Sequence, residues 1–298
     1  MQIDAVRIWA GEAQPVFICG IERSGTSMLQ LALARHPALF AVPDVYETFM
    51  FATPEAILRE PAPGMAVAYL GGERQLEWFR ARYAVAGLGD DDLIRAFFHF
   101  AAHTVYPGQR PLEKTPSHVR QLARIFKLFP RARVIVCTRD MPAVVASYRK
   151  RMASEQAMGL PREVWGWMDR STEALITHCL TVAEQVRAAA TTHGAQMYVA
   201  PYAWLTADAP AALAALCAFA GLAPCDALLA PKPRQQSRVD SLLTRPIGPR
   251  EASPADGAAD AHEQAVVRAR ATALPPLWDT PGSLQALVGV NPASPTTV

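Results

Sequence analysis

The chain has 298 residues, 51% of them hydrophobic and 19% charged, which is the balance of a folded globular protein with room for a large core. A net charge of +2 creates no field that would draw nucleic acid or a membrane surface. Five cysteines without paired metal-ligand or disulfide spacing, no signal segment and no apolar run of spanning length lead to the expectation of a cytoplasmic protein without a metal.

The first element is PVFICGI (15–21), a continuous apolar run closed by glycine, as expected of a strand buried on both faces. A helix is predicted over 26–36, with Met28, Leu29, Ala32 and Leu33 on one face and Pro37 as its stop. ALFAVP (38–43) reads as a second short strand, and residues 53–110 carry helical stretches, one of them opened by Asp90, Asp91 and Asp92. PLEKTPSHVRQLARIFKLFP passes from strand or loop into an amphipathic helix beginning at Ser117. RARVIVCTRD predicts another buried parallel strand, and MPAVVASYRKRM a helix with Pro142 in its first turn, where proline is tolerated.

One long helix is predicted over 165–194, capped by Gly194, then a strand in AQMYVAPY and a helix in PAALAALCAFAGL. Past Pro231 the composition shifts to proline, arginine and small polar residues. This predicts a loop or lid over 231–258, a helix over 259–273 and a flexible tail over 276–298. A single domain over 1–275, with a helical insertion over 45–110, accommodates all of these.

Strands alternating with helices predict an α/β fold, a central parallel sheet flanked by helices on both faces. Ligands in such sheets bind at the carboxyl ends of the strands. Two segments at predicted strand ends, GIERSGTS (20–27) and TRDMPAVVAS (138–147), are therefore expected to converge on one crevice although far apart in sequence. In the first, Gly20 and Gly25 allow close backbone approach, helix N-terminal N–H groups favour an anion, and Thr26 and Ser27 offer hydroxyls. Arg23 adds a planar fork suited to phosphate or sulfate oxygens. Thr26 stands where the lysine of a nucleotide triphosphatase loop would be, which weakens a P-loop kinase or NTPase reading.

FICGIERSGTSMLQLALARHP resembles the 5′-phosphosulfate loop of sulfotransferases that use 3′-phosphoadenosine 5′-phosphosulfate (PAPS), in the branch with an RSGT core. FPRARVIVCTRDMPAVVASYRKR resembles that family's 3′-phosphate motif, EKTPSH its Lys-Thr-Pro-x-His segment, and MYVAPYAWL with AALCAFAGL a later strand and helix. The resemblance covers about residues 15–222 and implies the family's P-loop-containing nucleotide-binding fold. Three departures stand out: Glu22 replaces a proline or small residue, Ala203 and Trp204 replace a Glu-Asp pair, and Met141 replaces the customary proline after Arg-Asp, with Pro142 one step later to serve the turn. Glu22, a carboxylate beside an anion site, must point away from it.

The resemblance implies PAPS as donor, 3′,5′-ADP as product and no metal. It implies that Arg23, Ser24, Gly25, Thr26 and Ser27 grip the 5′-phosphosulfate and that Arg139 and Ser147 hold the 3′-phosphate. The transferred sulfuryl carries less charge than a terminal phosphoryl, so help is needed mainly at the leaving phosphate. Arg23 and Lys114 would supply it, and one preorganised donor is typically worth about 3 kcal/mol. Lys114 has the alternative of a surface lysine paired with Glu113. A carboxylate general base is implied shortly after the first helix: Glu47 is favoured in DVYETFMF, with Asp44 next and His118 third. Tyr202 lines the donor pocket or packs in the core.

Among Arg234, Arg238, Arg245 and Arg250, no single residue is singled out to close over the 3′-phosphate. The aromatics between 46 and 106 form core or wall an acceptor pocket. The acceptor is a hydroxyl or amine of a small molecule, glycan or carrier-bound intermediate. A catalytically silent nucleotide-binding relative is the remaining alternative.

Overall fold

Val16–Gly20 forms β1, buried along its whole length because its alternating side chains serve two cores. Phe17 and Cys19 enter one; Val16 and Ile18 enter the other. The computed structural model describes residues 14–41, 47–54, 69–83, 87–229, 247–248, 260–275 and 278–288. Among these, β1 is joined by β2 (Leu39–Ala41), β3 (Arg110–Lys114), β4 (Arg133–Thr138), β5 (Met197–Pro201) and β6 (Gly282–Ser283). The order across the sheet is β2-β3-β1-β4-β5-β6, and every neighbouring pair is parallel except β5 with β6.

The helices in chain order are α1 (Thr26–Leu33), α2 (Glu73–Tyr83), α3 (Asp90–Phe100), α4 (Leu122–Leu128) and α5 (Met141–Ala157). They continue with α6 (Arg162–Trp165), α7 (Thr172–His193), α8 (Tyr202–Ala207), α9 (Ala209–Ala220), α10 (Ala261–Ala271) and α11 (Leu284–Val288). Leu29 and Leu33 of α1 and Leu213 and Leu216 of α9 cover one face of the sheet. Ile125 of α4, Val144 and Val145 of α5 and Val182 and Val186 of α7 cover the other. The expected α/β arrangement, helices on both faces of a mainly parallel sheet, is thus the observed one, with β6 as an antiparallel addition.

Most aromatics of the 45–110 insertion are core. Phe17 meets Phe51, Phe98 and Phe129 at ring-centroid separations of 5.5, 5.7 and 5.8 Å, while Phe49 and Trp78 stay exposed.

Two expectations are corrected. The single helix over 165–194 is broken into α6, a 3₁₀ turn at Gly166–Met168, and α7. Ser171 is the reason: its hydroxyl accepts the N–H of Ala174 and starts a new helix, with Glu173 in the first turn. Gly194 does cap α7 as expected, with φ −53°, and a Cβ there would lie 2.9 Å from the backbone nitrogen of Gln285. The flexible tail expected from 276 is also overturned for residues 278–288. Trp278 is fully buried, and the segment after it forms β6 and α11. Trp278 Nε1 donates to Arg139 O at 3.1 Å, and Thr138 Oγ1 donates to Trp278 O at 2.6 Å, so this segment fastens the end of β4.

Replacing Trp278 with alanine removes a buried indole and its hydrogen bond. The expected cost is about 3–5 kcal/mol of unfolding free energy in a urea titration; a change near zero would mean that the C-terminal segment is not part of the cooperative fold.

Candidate active site

The chain leaves β1 through Gly20, whose φ of 134° and proximity to β4 admit only glycine: a Cβ would sit 2.1 Å from Cys137 O. Ser24, expected within the loop that grips the phosphosulfate, has a buried side chain. Its hydroxyl lies 2.5 Å from Ile21 O and 3.0 Å from Cys137 O, sharing its proton between them and stapling the loop to β4. Gly25, at φ 93°, precedes α1, and a Cβ on it would lie 2.8 Å from Cδ2 of Tyr202. Thr26 and Ser27 open the helix, Thr26 buried and Ser27 half-buried. The first N–H groups of a helix lack intrahelical partners and carry the positive end of its dipole.

Arg23 occupies the left-handed region with φ 71°, a conformation costing an L-residue about 1–2 kcal/mol. Contacts from the second segment hold it there. Arg139 Nη1 donates to Arg23 O at 3.0 Å, and Arg23 Nε donates to Ser147 Oγ at 3.2 Å. The Arg139 guanidinium also sits 4.4 Å from the centroid of the Tyr202 ring, a cation–π distance. Arg23, Gly25, Arg139, Ser147 and Tyr202 therefore meet at one spot, at the carboxyl ends of β1, β4 and β5. Asp140 is occupied as the cap of α5, accepting the N–H of Ala143 at 3.1 Å. Pro142 falls in the first turn of α5, where the helix accommodates a proline.

β3 brings a second group alongside. Lys114 lies level with Ile18 of β1, and its side chain is fully buried. Its Nζ meets Glu47 Oε1 at 2.9 Å, while the Glu47 side chain remains 31% exposed. The alternative of a surface lysine paired with Glu113 is thereby corrected: neighbouring strand residues point to opposite faces. Glu113 turns inward, its Oε1 accepting the hydroxyls of Thr48 at 2.8 Å and Thr115 at 2.7 Å, its Oε2 accepting His118 Nδ1–H at 2.9 Å. Burial pushes the Glu113 pKa up, but His118 and these hydrogen bonds more than offset it, so the carboxyl is held below its usual range. His118 is buried too, edge-on to Phe51 at 4.9 Å, so its ring is enclosed rather than presented on the surface. Asp44 and the arginines at 234, 238, 245 and 250 lie outside the described residues.

Glu22 turns away from the loop, as its chemistry requires. Its Oε2 accepts His178 Nε2–H at 2.6 Å and the Tyr148 hydroxyl at 3.2 Å. Arg120 Nη2 donates to His178 Nδ1 at 2.9 Å, which fixes the tautomer that donates to Glu22. Burial raises the Glu22 pKa, but the His178 hydrogen bond and then the charge of Arg120 outweigh it and the net direction is down. Arg120, Tyr148, His178 and Trp278 were not legible as parts of this region. The one signal was Tyr148, adjacent to Ser147 within the second motif.

The sulfotransferase family profile matches residues 15–226. The chain belongs to the sulfotransferase family. This sulfotransferase is similar in fold to the sulfotransferase domain from the Synechococcus PCC 7002 olefin synthase, at 20% identity and TM-score 0.56, covering 80% of this chain and 86% of that one. It is also similar to the sulfotransferase domain from the curacin biosynthetic pathway, at 16% identity and TM-score 0.57, covering 78% of this chain and 82% of that one. No curated protein sequence gave a significant match. Membership makes the protein a transferase of sulfuryl groups and sets aside the kinase or NTPase reading. Among the described residues no helix is long and apolar enough to cross a membrane.

The folded-state pKa of Glu22 lies below its unfolded value. Its contribution to stability is thus complete above the ordinary value of 4.5 and is lost as pH falls through the lowered one. Glu22→Gln is expected to lower the urea midpoint at about pH 7 and to flatten its decline between about pH 5 and pH 3. Wild-type and variant profiles that run parallel over that range would contradict the lowered pKa of Glu22.

Proposed function

We propose that this sulfotransferase moves the sulfuryl group of PAPS in line to a hydroxyl or amine, with Glu47 as general base. The acceptor class is a small molecule, a glycan or a carrier-bound intermediate. The observation that carries the reading is the 3.0 Å bond from Arg139 to Arg23 O, with Arg23 reaching Ser147, because it puts two segments more than a hundred residues apart within the span of one nucleotide. The residues fit such a donor. Two guanidinium groups, a helix N-terminus and the Ser147 hydroxyl offer anion contacts, and the Tyr202 face offers a stacking surface. Arg23, Gly25, Thr26 and Ser27 would hold the phosphosulfate end, and Arg139 and Ser147 the 3′-phosphate. Ser24 contributes backbone geometry rather than its hydroxyl.

When bound, PAPS supplies an activated sulfuryl group on a good leaving phosphate. Glu47 then has two tasks that its position supports: accepting the acceptor's proton and, in the ground state, neutralising Lys114. As the proton arrives, the carboxylate releases its hold on the ammonium. Lys114 becomes available to the charge developing at the leaving oxygen, so one proton transfer serves both ends of the displacement. The exposed Phe49 ring, two residues from Glu47, provides an apolar contact for the acceptor. The silent-relative reading keeps the same donor contacts and differs only in whether Glu47 acts.

Thermal denaturation tests the donor site: 3′,5′-ADP without magnesium is expected to stabilise the protein, and ATP with magnesium is not. At a hundredfold excess over Kd the gain is about 2.7 kcal/mol, and no shift would sink the assignment. Glu47→Gln is expected to reduce transfer from labelled PAPS by about 10²- to 10⁴-fold with 3′,5′-ADP binding retained. Unchanged turnover would move the base to Asp44 or His118. Absence of turnover in the wild type across a broad acceptor panel would favour the silent relative.

A further inference from the structure

We propose that Glu113 is a positioning residue whose buried carboxylate sets the Glu47–Lys114 pair through two threonines. The inference rests on the roles given above to Glu47 and Lys114. Each member of that pair is followed directly by a threonine, Thr48 after Glu47 and Thr115 after Lys114. Both hydroxyls converge on the same oxygen, Glu113 Oε1, at 2.8 and 2.7 Å. A third link closes the ring, because the Thr48 backbone N–H donates to Thr115 Oγ1 at 3.0 Å. Residues 47–49 belong to no helix or strand, so this ring is what registers their backbone against the end of β3.

The direction of every bond follows from an ionised Glu113. A carboxylate only accepts, so both hydroxyls must donate to it. The Thr115 oxygen is then left with lone pairs for the Thr48 N–H. His118 Nδ1–H occupies Oε2, which keeps that oxygen from competing for the threonines. All four side chains are buried, between 0% and 1% exposed, so water does not dilute the network. Placing a fully buried charge here is expensive in desolvation, and a core that needed only packing would be served by an apolar side chain. The charge instead orients two backbone segments whose preceding side chains meet at 2.9 Å. A displacement of about 1 Å between reacting groups costs on the order of 100-fold in rate, which is the scale such a device protects against.

The test is Thr48→Val, which keeps the shape and removes the hydroxyl, beside Thr48→Ser, which keeps the hydroxyl. Thr48→Val is expected to lose roughly 10- to 100-fold in kcat with KM for PAPS and affinity for 3′,5′-ADP unchanged, and Thr48→Ser to recover most of that loss. Wild-type kcat in Thr48→Val, equal loss in both variants, or a loss confined to KM would overturn the proposal. Should Thr48→Val not fold, Thr115→Val removes the second hydroxyl and carries the same expectations.

A crystal structure of the valine variant decides the matter without any activity. Glu47 displaced from Lys114 supports the positioning role, and an unchanged ion pair refutes it. A wild type that neither binds 3′,5′-ADP nor transfers sulfuryl would remove the functional reading, while the crystallographic result would still stand for or against Glu113.

Discussion

The close approach of β1 to β4 at Gly20 governs the rest of the molecule. With only hydrogen where a side chain would strike Cys137 O, the backbone leaves the sheet hard against its neighbour. The Ser24 hydroxyl then fastens the turn to the same carbonyl. Everything anionic chemistry needs at this end of the sheet follows from that fastening. Arg23 is carried across into reach of Ser147, and Arg139 is brought under the Arg23 carbonyl. Two like-charged side chains and a left-handed arginine would be a poor bargain in isolation. The loop tolerates them because the hydrogen bonds around them come from α5 and from the short connection between β4 and α5, which rigid elements hold at both ends.

Carboxylates surround this cationic region without quenching it, and geometry explains how. Glu22 is diverted onto His178 and Tyr148, Asp140 is spent on a helix cap, and Glu113 is locked inside the protein with hydroxyl and imidazole partners. Glu47 alone of these four meets a lysine, Lys114, and it keeps partial contact with solvent. The burial of Lys114 matters equally. An ammonium without water around it interacts strongly with whatever charge lies beside it, so the ion pair is a responsive element rather than a surface decoration.

The main architecture was legible because parallel strands buried on both faces are written as unbroken apolar runs, and PVFICG and RVIVCT are such runs. The meeting of Arg23 with Arg139 was legible for the same reason, since both lie in the segments that leave the carboxyl ends of those strands. The direction of the Ser24 hydroxyl was not legible, because a small hydroxyl residue in an anion loop looks like a ligand whichever way it points, and only the approach to Cys137 decides. The partner of Lys114 was within reach of strand alternation, which forbids adjacent residues from sharing a face. Ser171 followed by Thr172 and Glu173 carried a helix-start signal that the longer helical pattern obscured. Trp278 and β6 were not legible: a two-residue strand, Gly282–Ser283, directly after a proline has no periodicity, and its pairing partner lies in a distant part of the chain.

The margins of the sheet carry a last consequence. A stack of apolar parallel strands exposes, at each border, backbone groups that invite pairing with another molecule. Here one border is the three-residue β2 and the other the two-residue β6, which runs against β5 and covers Tyr198 and Val199. Stubs of this length offer a neighbouring chain little to latch onto. Gly282 and Ser283, which touch nothing in the reaction, thus act as hemming that keeps the adhesive edge of β5 from fraying into assemblies of its own kind.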